Sequence, residues 1–278
     1  YSPATKMSVF NYDVKLVNPQ FTLTSDTLRY NTATKIANIV GPSDIDSQEN
    51  HIYSELGFYD TQAGQAQLLN RSVLTNEGKL MTGDSLFYDR NRGFGEAFQN
   101  VEFVDTINKN MLEGNYCYYN QLTSYAFATD KAVATDFSQG DSLFIHADTL
   151  QMFTFHLNTD SVYREARAYH KVRVYRTDVQ AVCDSLVFSS KDSCLTMYRD
   201  PILWNKNQQL LGEEIRVYMN DSTIDWAHIW NQALSVERID SANYNQVSGK
   251  EMKAFFHNGE MNQVDVDGSV RLVYYPME

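Results

Sequence analysis

One eight-residue pattern recurs along the chain and constrains the fold more than any other feature of the sequence. It reads small–acid–x–apolar–x–apolar or aromatic, as in T-S-D-T-L-R-Y-N at 24–31, T-G-D-S-L-F-Y-D at 82–89 and V-C-D-S-L-V-F-S at 182–189. The small residue recurs at intervals of 29 to 37 residues, at Ser25, Ser54, Gly83, Gly114, Ala147, Cys183, Gly212 and Gly249. Such periods are typical of arrays in which each unit buries its apolar face against its neighbours.

Each of these strands is followed by a short polar turn and a returning strand. The turns include T-A-T-K at 32–35 and R-N-R-G at 90–93, whose composition suits hairpin connections. Returning segments such as V-E-F-V at 101–104 alternate with period two. The segment W-A-H-I-W-N-Q-A-L-S at 226–235 is ambiguous, but its place in the repeat favours a strand. The sequence therefore predicts an all-β array of about eight antiparallel hairpin units of roughly 30 residues.

The array is expected to form one elongated domain over residues 1–278. The chain opens on Y-S-P-A-T-K, which predicts that it is a fragment of a longer exported protein with a signal peptide upstream.

Side-chain alternation places the apolar positions three and five after the small residue on one face of the sheet. We predict that this face is the interior and that Arg29 and Lys253 lie on the opposite, solvated face. Gly57 and Cys117 occupy the first position in two copies. The other predicted interior residues are Leu28, Tyr30, Tyr59, Leu86, Tyr88, Tyr119, Leu150, Met152, Leu186, Phe188, Ile215 and Val217.

Charge and motif content exclude several classes of function. The net charge is −12 and the 23 basic residues are scattered, so neither nucleic acid nor an anionic membrane surface is an expected partner. The three cysteines lack C-x-x-C spacing and are expected to be free thiols, with Cys194 facing Val187 across a hairpin. The histidines show no metal-binding spacing, and there is no nucleophile elbow or P-loop. We expect neither an enzyme nor a cofactor.

The acids that follow the small residues form a second row, at Asp26, Glu55, Asp84, Asp148, Asp184 and Glu213. Such a row could cleave polysaccharides or bind calcium, as in some β-helices. An acid repeated in almost every unit favours an architectural role instead, because catalysis needs one constellation of residues.

Two segments carry a family resemblance: S-D-T-L-R-Y-N-T-A-T-K-I-A-N-I-V-G-P at 25–42 and G-D-S-L-F-Y-D-R-N-R-G-F-G-E-A-F-Q-N-V at 83–101. Their pattern resembles the OstA-like (organic solvent tolerance A-like) family, and most closely its large members in Bacteroides-type bacteria. The resemblance implies an open β-jelly-roll, a folded-over sheet that carries lipopolysaccharide through the periplasm. It also implies acyl chains in an apolar groove and end-to-end strand addition with itself or other envelope transport proteins. Location in the periplasm, with or without association with the outer membrane, follows from the same resemblance.

Three functions remain open at this point. The first is a lipid-binding bridge whose groove is lined by the predicted interior residues. The second is a filled β-repeat that serves as a scaffold or assembly module of the envelope. A carbohydrate-active β-helix is the third and would use the row of acids.

Overall fold

The computed structural model describes residues 1–47, 50–138, 140–220 and 223–276. Within these ranges the chain forms twenty strands and no helix, so the predicted all-β class is confirmed. It follows that no helix in the described part of the chain is long and apolar enough to cross a membrane. The chain divides into two compact units, Tyr1–Ala132 and Val133–Glu278, with the boundary inside one strand. A single elongated domain over 1–278 stays a prediction.

The first unit is a run of consecutive antiparallel hairpins. Each strand from β1 to β7 pairs with the next along the chain. The strands are β1 (Met7–Asn18), β2 (Phe21–Asn31), β3 (Ile36–Ser47), β4 (Asn50–Asp60), β5 (Gln65–Asn76), β6 (Lys79–Asp89), β7 (Phe94–Asp105), β8 (Asn110–Asn120) and β9 (Tyr125–Asp136), the last of which crosses the boundary.

The second unit continues the hairpins but with two interrupted strands. β12 pairs with both β13 and β14, and β17 pairs with both β15 and β16, so each pair takes the place of one long strand. The ambiguous segment at 226–235 lies in β17, as predicted. The strands are β10 (Leu143–Phe155), β11 (Tyr163–Tyr175), β12 (Val179–Ser189), β13 (Cys194–Tyr198), β14 (Ile202–Asn205), β15 (Gln208–Leu211), β16 (Glu214–Asn220), β17 (Thr223–Arg238), β18 (Tyr244–His257), β19 (Glu260–Asp267) and β20 (Arg271–Val273).

A bulge near its middle divides each long strand into two arms. The bulges of β5 and β7 contain two successive left-handed residues, Asn70–Arg71 and Gln99–Asn100, and the strand register shifts at each of them. The same left-handed pair occurs at Asp130–Lys131, Arg199–Asp200 and Asn231–Gln232. Extra residues of this kind bend a strand sharply. We call each bend a corner.

The two arms form two walls in each unit. Wall A contains the arms that reach the turns at 18–21, 76–79 and 105–110 in the first unit and at 205–208 in the second. Wall B contains the arms that reach the four-residue turns such as 32–35, 61–64 and 90–93, and the turn at 258–259.

The small residue of the repeat lies at the corner, where neighbouring strands approach closely. A Cβ on Gly114 would lie 2.9 Å from the carbonyl oxygen of Thr129. At an earlier corner, Ser72 Oγ donates a hydrogen bond to Ser54 Oγ at 2.8 Å, and both serines are buried. Steric space and buried pairing therefore explain why each copy carries a small residue here.

All three cysteines are free thiols, as predicted. The predicted position of Cys194 is wrong, because Cys194 pairs with Ser189 in the sheet and Val187 pairs with Thr196. The four-residue turn between β12 and β13 places Cys194 at the first pair after the turn, two residues closer to it than the prediction assumed.

Candidate functional site

In the first unit, five predicted interior residues of wall B are buried, with exposures of 0 to 8%. They are Leu28, Tyr59, Leu86, Tyr88 and Tyr119. The intervening strands place small or aliphatic side chains beside them; Leu86, for example, pairs with Leu68 on one side and Ala97 on the other. Tyr30 is half-buried, and its hydroxyl lies 3.5 Å from Thr61 Oγ1 in the next turn.

The tyrosines of wall B reach across to wall A. The ring of Tyr59 meets that of Phe21 edge-on at 4.9 Å between centroids, and Phe103 lies 5.0 Å from Tyr119. Between these ring pairs, Asn50 Nδ2 donates a hydrogen bond to the hydroxyl of Tyr88 at 2.8 Å. The interior of the first unit is therefore occupied by its own side chains.

The second unit has the same rows of predicted interior residues, but some of these side chains are less buried than in the first unit. Leu150, Leu186, Ile215 and Val217 are buried, with exposures of 0 to 5%. Met152 and Phe188 are half-buried, although their positions in the repeat match those of buried Tyr59 and Tyr88.

Met152 and Phe188 belong to one continuous row. Met152 pairs with Ala166, Ala166 with Phe188, and Phe188 with Leu195, and all four side chains are half-buried. We call these four residues the apolar strip. It crosses β10 to β13 on the inner face of wall B.

Beyond the apolar strip, the two walls of the second unit meet at their tips. Asn205 Nδ2 donates a hydrogen bond to the carbonyl of Gly259 at 3.2 Å, and Lys206 forms an ion pair with Glu260. The hydrogen bond and charge of Lys206 lower the pKa of Glu260. This end of the interior is therefore closed by polar contacts.

Most of the repeated acids accept hydrogen bonds or form ion pairs at the corners. Asp84 accepts a hydrogen bond from Asn100 Nδ2 at 2.8 Å, and Glu213 accepts bonds from the amides of Asn231 and Gln232 at 3.1 and 2.9 Å. In both cases the donors are left-handed residues of the neighbouring strand.

Two corners of the second unit use basic side chains instead. Asp148 contacts Lys171 Nζ at 3.2 Å, and Asp184 contacts both His170 and Arg199 at 3.1 Å. These contacts support the architectural interpretation of the acids. Glu55 instead accepts a hydrogen bond from the Tyr53 hydroxyl at 3.0 Å, and Asp26 lies beside Gly41, another bulge residue.

The thiols are not activated. Burial raises the pKa of Cys117 to about 12 and that of Cys183 to about 12, so both are protonated at neutral pH. In the part of the chain that the structure describes, no three His, Cys, Asp or Glu side chains are placed to hold a metal ion.

A small cavity, which we call the Arg90 cavity, lies at the tips of the walls in the first unit. Its volume is about 270 Å³ and it is lined by Pro19, Gln20, Ser47, Asn50, Tyr88, Arg90 and Gln121. Sequence reasoning assigned Arg90 only to a turn. The one available signal was that Arg90 stands where the two preceding turns have threonine, at Thr32 and Thr61.

Comparison with known proteins gives similarities of limited extent. No curated protein matches the chain. Among solved structures, the crystal structure of LptH from Pseudomonas aeruginosa, "the LptA homologous periplasmic component of the conserved lipopolysaccharide transport device", is 15% identical. The match covers 40% of this chain and 74% of that chain, with a TM-score of 0.33. In sequence, residues 1–26 match the family of OstA-like proteins.

Proposed function

We propose that the chain is a periplasmic lipid-binding module that helps carry lipopolysaccharide to the outer membrane. Acyl chains would lie between wall A and wall B, with the sugars outside, and no bond would be made or broken. The OstA-like similarity of residues 1–26 supports the general role. The positions of the predicted interior residues on the inner faces of the walls support the binding mode.

The apolar strip of the second unit is the observation that carries the proposal. Its four half-buried side chains offer apolar surface that the protein itself does not fully cover. Each methylene group that leaves water for such a surface gains about 0.8 kcal/mol. A row of moderate contacts suits a molecule that must bind and then move on, because no single site holds it tightly.

Photo-cross-linking tests this proposal at matched positions. A benzophenone amino acid at Phe188 or Met152 is expected to form adducts with lipopolysaccharide. The same probe at Val187 or Gln151 is expected to form none, because these neighbours in the same strands point to the opposite face. Equal labelling at Phe188 and Val187, or no labelling at either strip position, contradicts the proposal.

The filled scaffold is a second candidate, and the first unit favours it. Tyr59, Tyr88 and Tyr119 bridge the two walls there and leave their inner surfaces covered. A probe at Tyr88, with Phe87 as its control on the opposite face, distinguishes the two functions within this unit. Adducts at Phe188 but not at Tyr88 assign lipid binding to the second unit and a scaffold role to the first.

Strand addition is the proposed mode of association with a second copy or another envelope transport protein. Among the described strands of the first unit, β1 pairs only with β2, and it exposes Val9, Phe10 and Val17. Unpaired strand edges of this kind template pairing with another chain. A proline at Val9 is expected to reduce concentration-dependent association in sedimentation velocity, whereas Phe10→Ser, which keeps the backbone donor, is expected to reduce it less.

A further inference from the structure

The outer face of wall B in the first unit carries a row of mainly apolar side chains beside the corners. Cross-strand pairing joins its members over six strands, β3 to β8, in the order Val40, Leu56, Leu69, Ser85, Phe98 and Tyr116. Val40, Leu56, Leu69 and Phe98 are each 38 or 39% exposed. The solvated face of an antiparallel sheet usually carries polar residues. The packing of the unit itself therefore does not explain this row.

A second row lies next to the first, on the side of the turns. It contains three aromatic side chains that alternate with two polar ones, in the order Phe58, Gln67, Phe87, Glu96 and Tyr118. The hydroxyl of Tyr116 donates a hydrogen bond to Glu96 Oε1 at 2.5 Å, so the charged residue of this row is bound to the first row. We call the two rows together the outer band.

The rings at one end of the outer band pack against one another. The ring centroid of Tyr116 lies 5.2 Å from that of Phe98 and 5.4 Å from that of Phe127. The exposed fractions of Leu56, Phe58 and Phe98 show that no further layer of described residues covers the outer band. Interfaces between proteins have centres that are rich in aromatic residues and poor in charged ones. An exposed apolar face of this kind marks an interaction surface.

The two long sides of the outer band carry different exposed charges. On the corner side, three strands present an exposed acid of the repeat, namely Asp26, Glu55 and Asp84. Arg71 lies at the same corners, but it forms an ion pair with Glu102 at 2.9 Å. On the turn side, the exposed charged residues of the four-residue turns of the unit are Lys35 and Arg92. The surface therefore has an acidic edge and a basic edge.

We propose that the outer band is the contact face of a symmetric dimer of this chain. A two-fold axis parallel to the rows places the corner side of each copy over the turn side of the other. Lys35 then faces Asp26 of the second copy, and Arg92 faces Asp84, because each turn is level with the corner of the same strand pair. A two-fold axis along the strands would place acids against acids, which costs free energy.

The outer face is large enough for a specific interface. Strands lie about 4.8 Å apart, so the six strands from β3 to β8 extend about 29 Å. Along β4, the distance from Ser54 at the corner to Asp60 at the turn is about 24 Å at about 3.4 Å per residue. The face therefore covers about 700 Å² per copy, close to the roughly 800 Å² per partner of specific interfaces.

Sedimentation velocity over a concentration series tests the dimer. The outer band lies neither in the interior nor at a strand edge, so this dimer is independent of lipid binding and of strand addition at β1. Every chain in the series therefore carries Val9→Pro. With that change alone, the chain is expected to form a concentration-dependent dimer. Leu56→Asp is expected to raise the dissociation constant at least tenfold.

Ile107→Asp is the matched control. Ile107 is 69% exposed and lies in the turn between β7 and β8 on wall A, away from the outer band. Its replacement is expected to change the dissociation constant less than twofold. Absence of a dimer in the Val9→Pro chain, or equal effects of Leu56→Asp and Ile107→Asp, overturns the proposal. A monomeric chain that binds neutral phosphatidylcholine vesicles through Leu56 also overturns it, and assigns the outer band to a lipid surface.

Charge reversal tests the direction of the two-fold axis. At low salt, Arg92→Asp and Asp84→Lys are each expected to raise the dissociation constant about fivefold, because each places like charges opposite one another. The double variant is expected to return to within about twofold of the parent chain, since each reversed residue faces the other in the second copy. Losses that add in the double variant overturn the proposed arrangement.

Discussion

Truncation of Leu86 to alanine tests whether the interior of the first unit is packed as the structure shows. Leu86 is 2% exposed and pairs with Leu68 and Ala97 on wall B. Truncation of a fully buried leucine removes its transfer free energy and leaves a cavity, at a cost of about 3 to 5 kcal/mol. At roughly 4 °C per kcal/mol for a unit of this size, the melting temperature should fall by about 12 °C or more.

Leu195 provides the matched comparison in the second unit. It occupies the same face of wall B but is half-buried beside Phe188. Leu195→Ala removes less buried surface and opens a space that is already partly accessible. Its expected cost is therefore about 1 to 2 kcal/mol, lower than the cost expected for Leu86→Ala.

Urea denaturation, followed by tryptophan emission and by circular dichroism, measures the free energy of unfolding of the two variants. All three tryptophans, Trp204, Trp226 and Trp230, belong to the second unit, so their emission reports on Leu195→Ala. Far-ultraviolet circular dichroism reports on both units and includes the effect of Leu86→Ala. A cost for Leu86→Ala no greater than that for Leu195→Ala refutes the conclusion that the first unit is filled by its own side chains.

Two further predictions concern the corners. The hydrogen bond from Ser185 is the largest influence that lowers the pKa of Asp184, so the stabilisation by Asp184 is present above its ordinary pKa and lost as pH falls through the folded value. The urea midpoints of the wild type and Asp184→Asn should therefore differ at neutral pH and converge as pH falls below the ordinary pKa of an aspartate, and a constant difference contradicts this origin. Gly114→Ala should destabilise by about 1 to 3 kcal/mol, because its Cβ would lie 2.9 Å from the carbonyl oxygen of Thr129. Gly140→Ala, with no atom within 4 Å of its Cβ, should be within about 0.5 kcal/mol of the wild type in the same thermal melts.

The strands and their inner faces could be predicted because alternation is a local property. Their positions in the repeat alone predict that Leu28 and Leu86 face the interior, and both are buried. The corners could not be predicted in the same way. Asn70–Arg71 and Gln99–Asn100 look like ordinary polar residues of a strand, and only their left-handed conformation shows that the strand bends there.

The difference between the two units also lay beyond the sequence pattern. Phe188 and Tyr88 occupy equivalent places in the repeat, but Tyr88 meets Asn50 across the interior, whereas Phe188 is half-buried. Burial depends on the residue that the opposite wall presents, and the repeat does not encode that pairing. Arg90 was missed for a similar reason, because its environment depends on the preceding turn and on the tips of wall A.

The first corners are evenly spaced along the chain, and this spacing fixes the length of chain by which a unit can be extended or shortened. Ser25, Ser54 and Gly83 are each 29 residues apart, and each interval contains two strands. Adjacent strands lie about 4.8 Å apart, so one interval extends a unit by about 10 Å. If one such interval is duplicated or deleted, each small residue and its acid again lie beside a left-handed pair of residues in the neighbouring strand. A unit of this kind can therefore be lengthened or shortened in whole steps during evolution, or by design, without new corner chemistry.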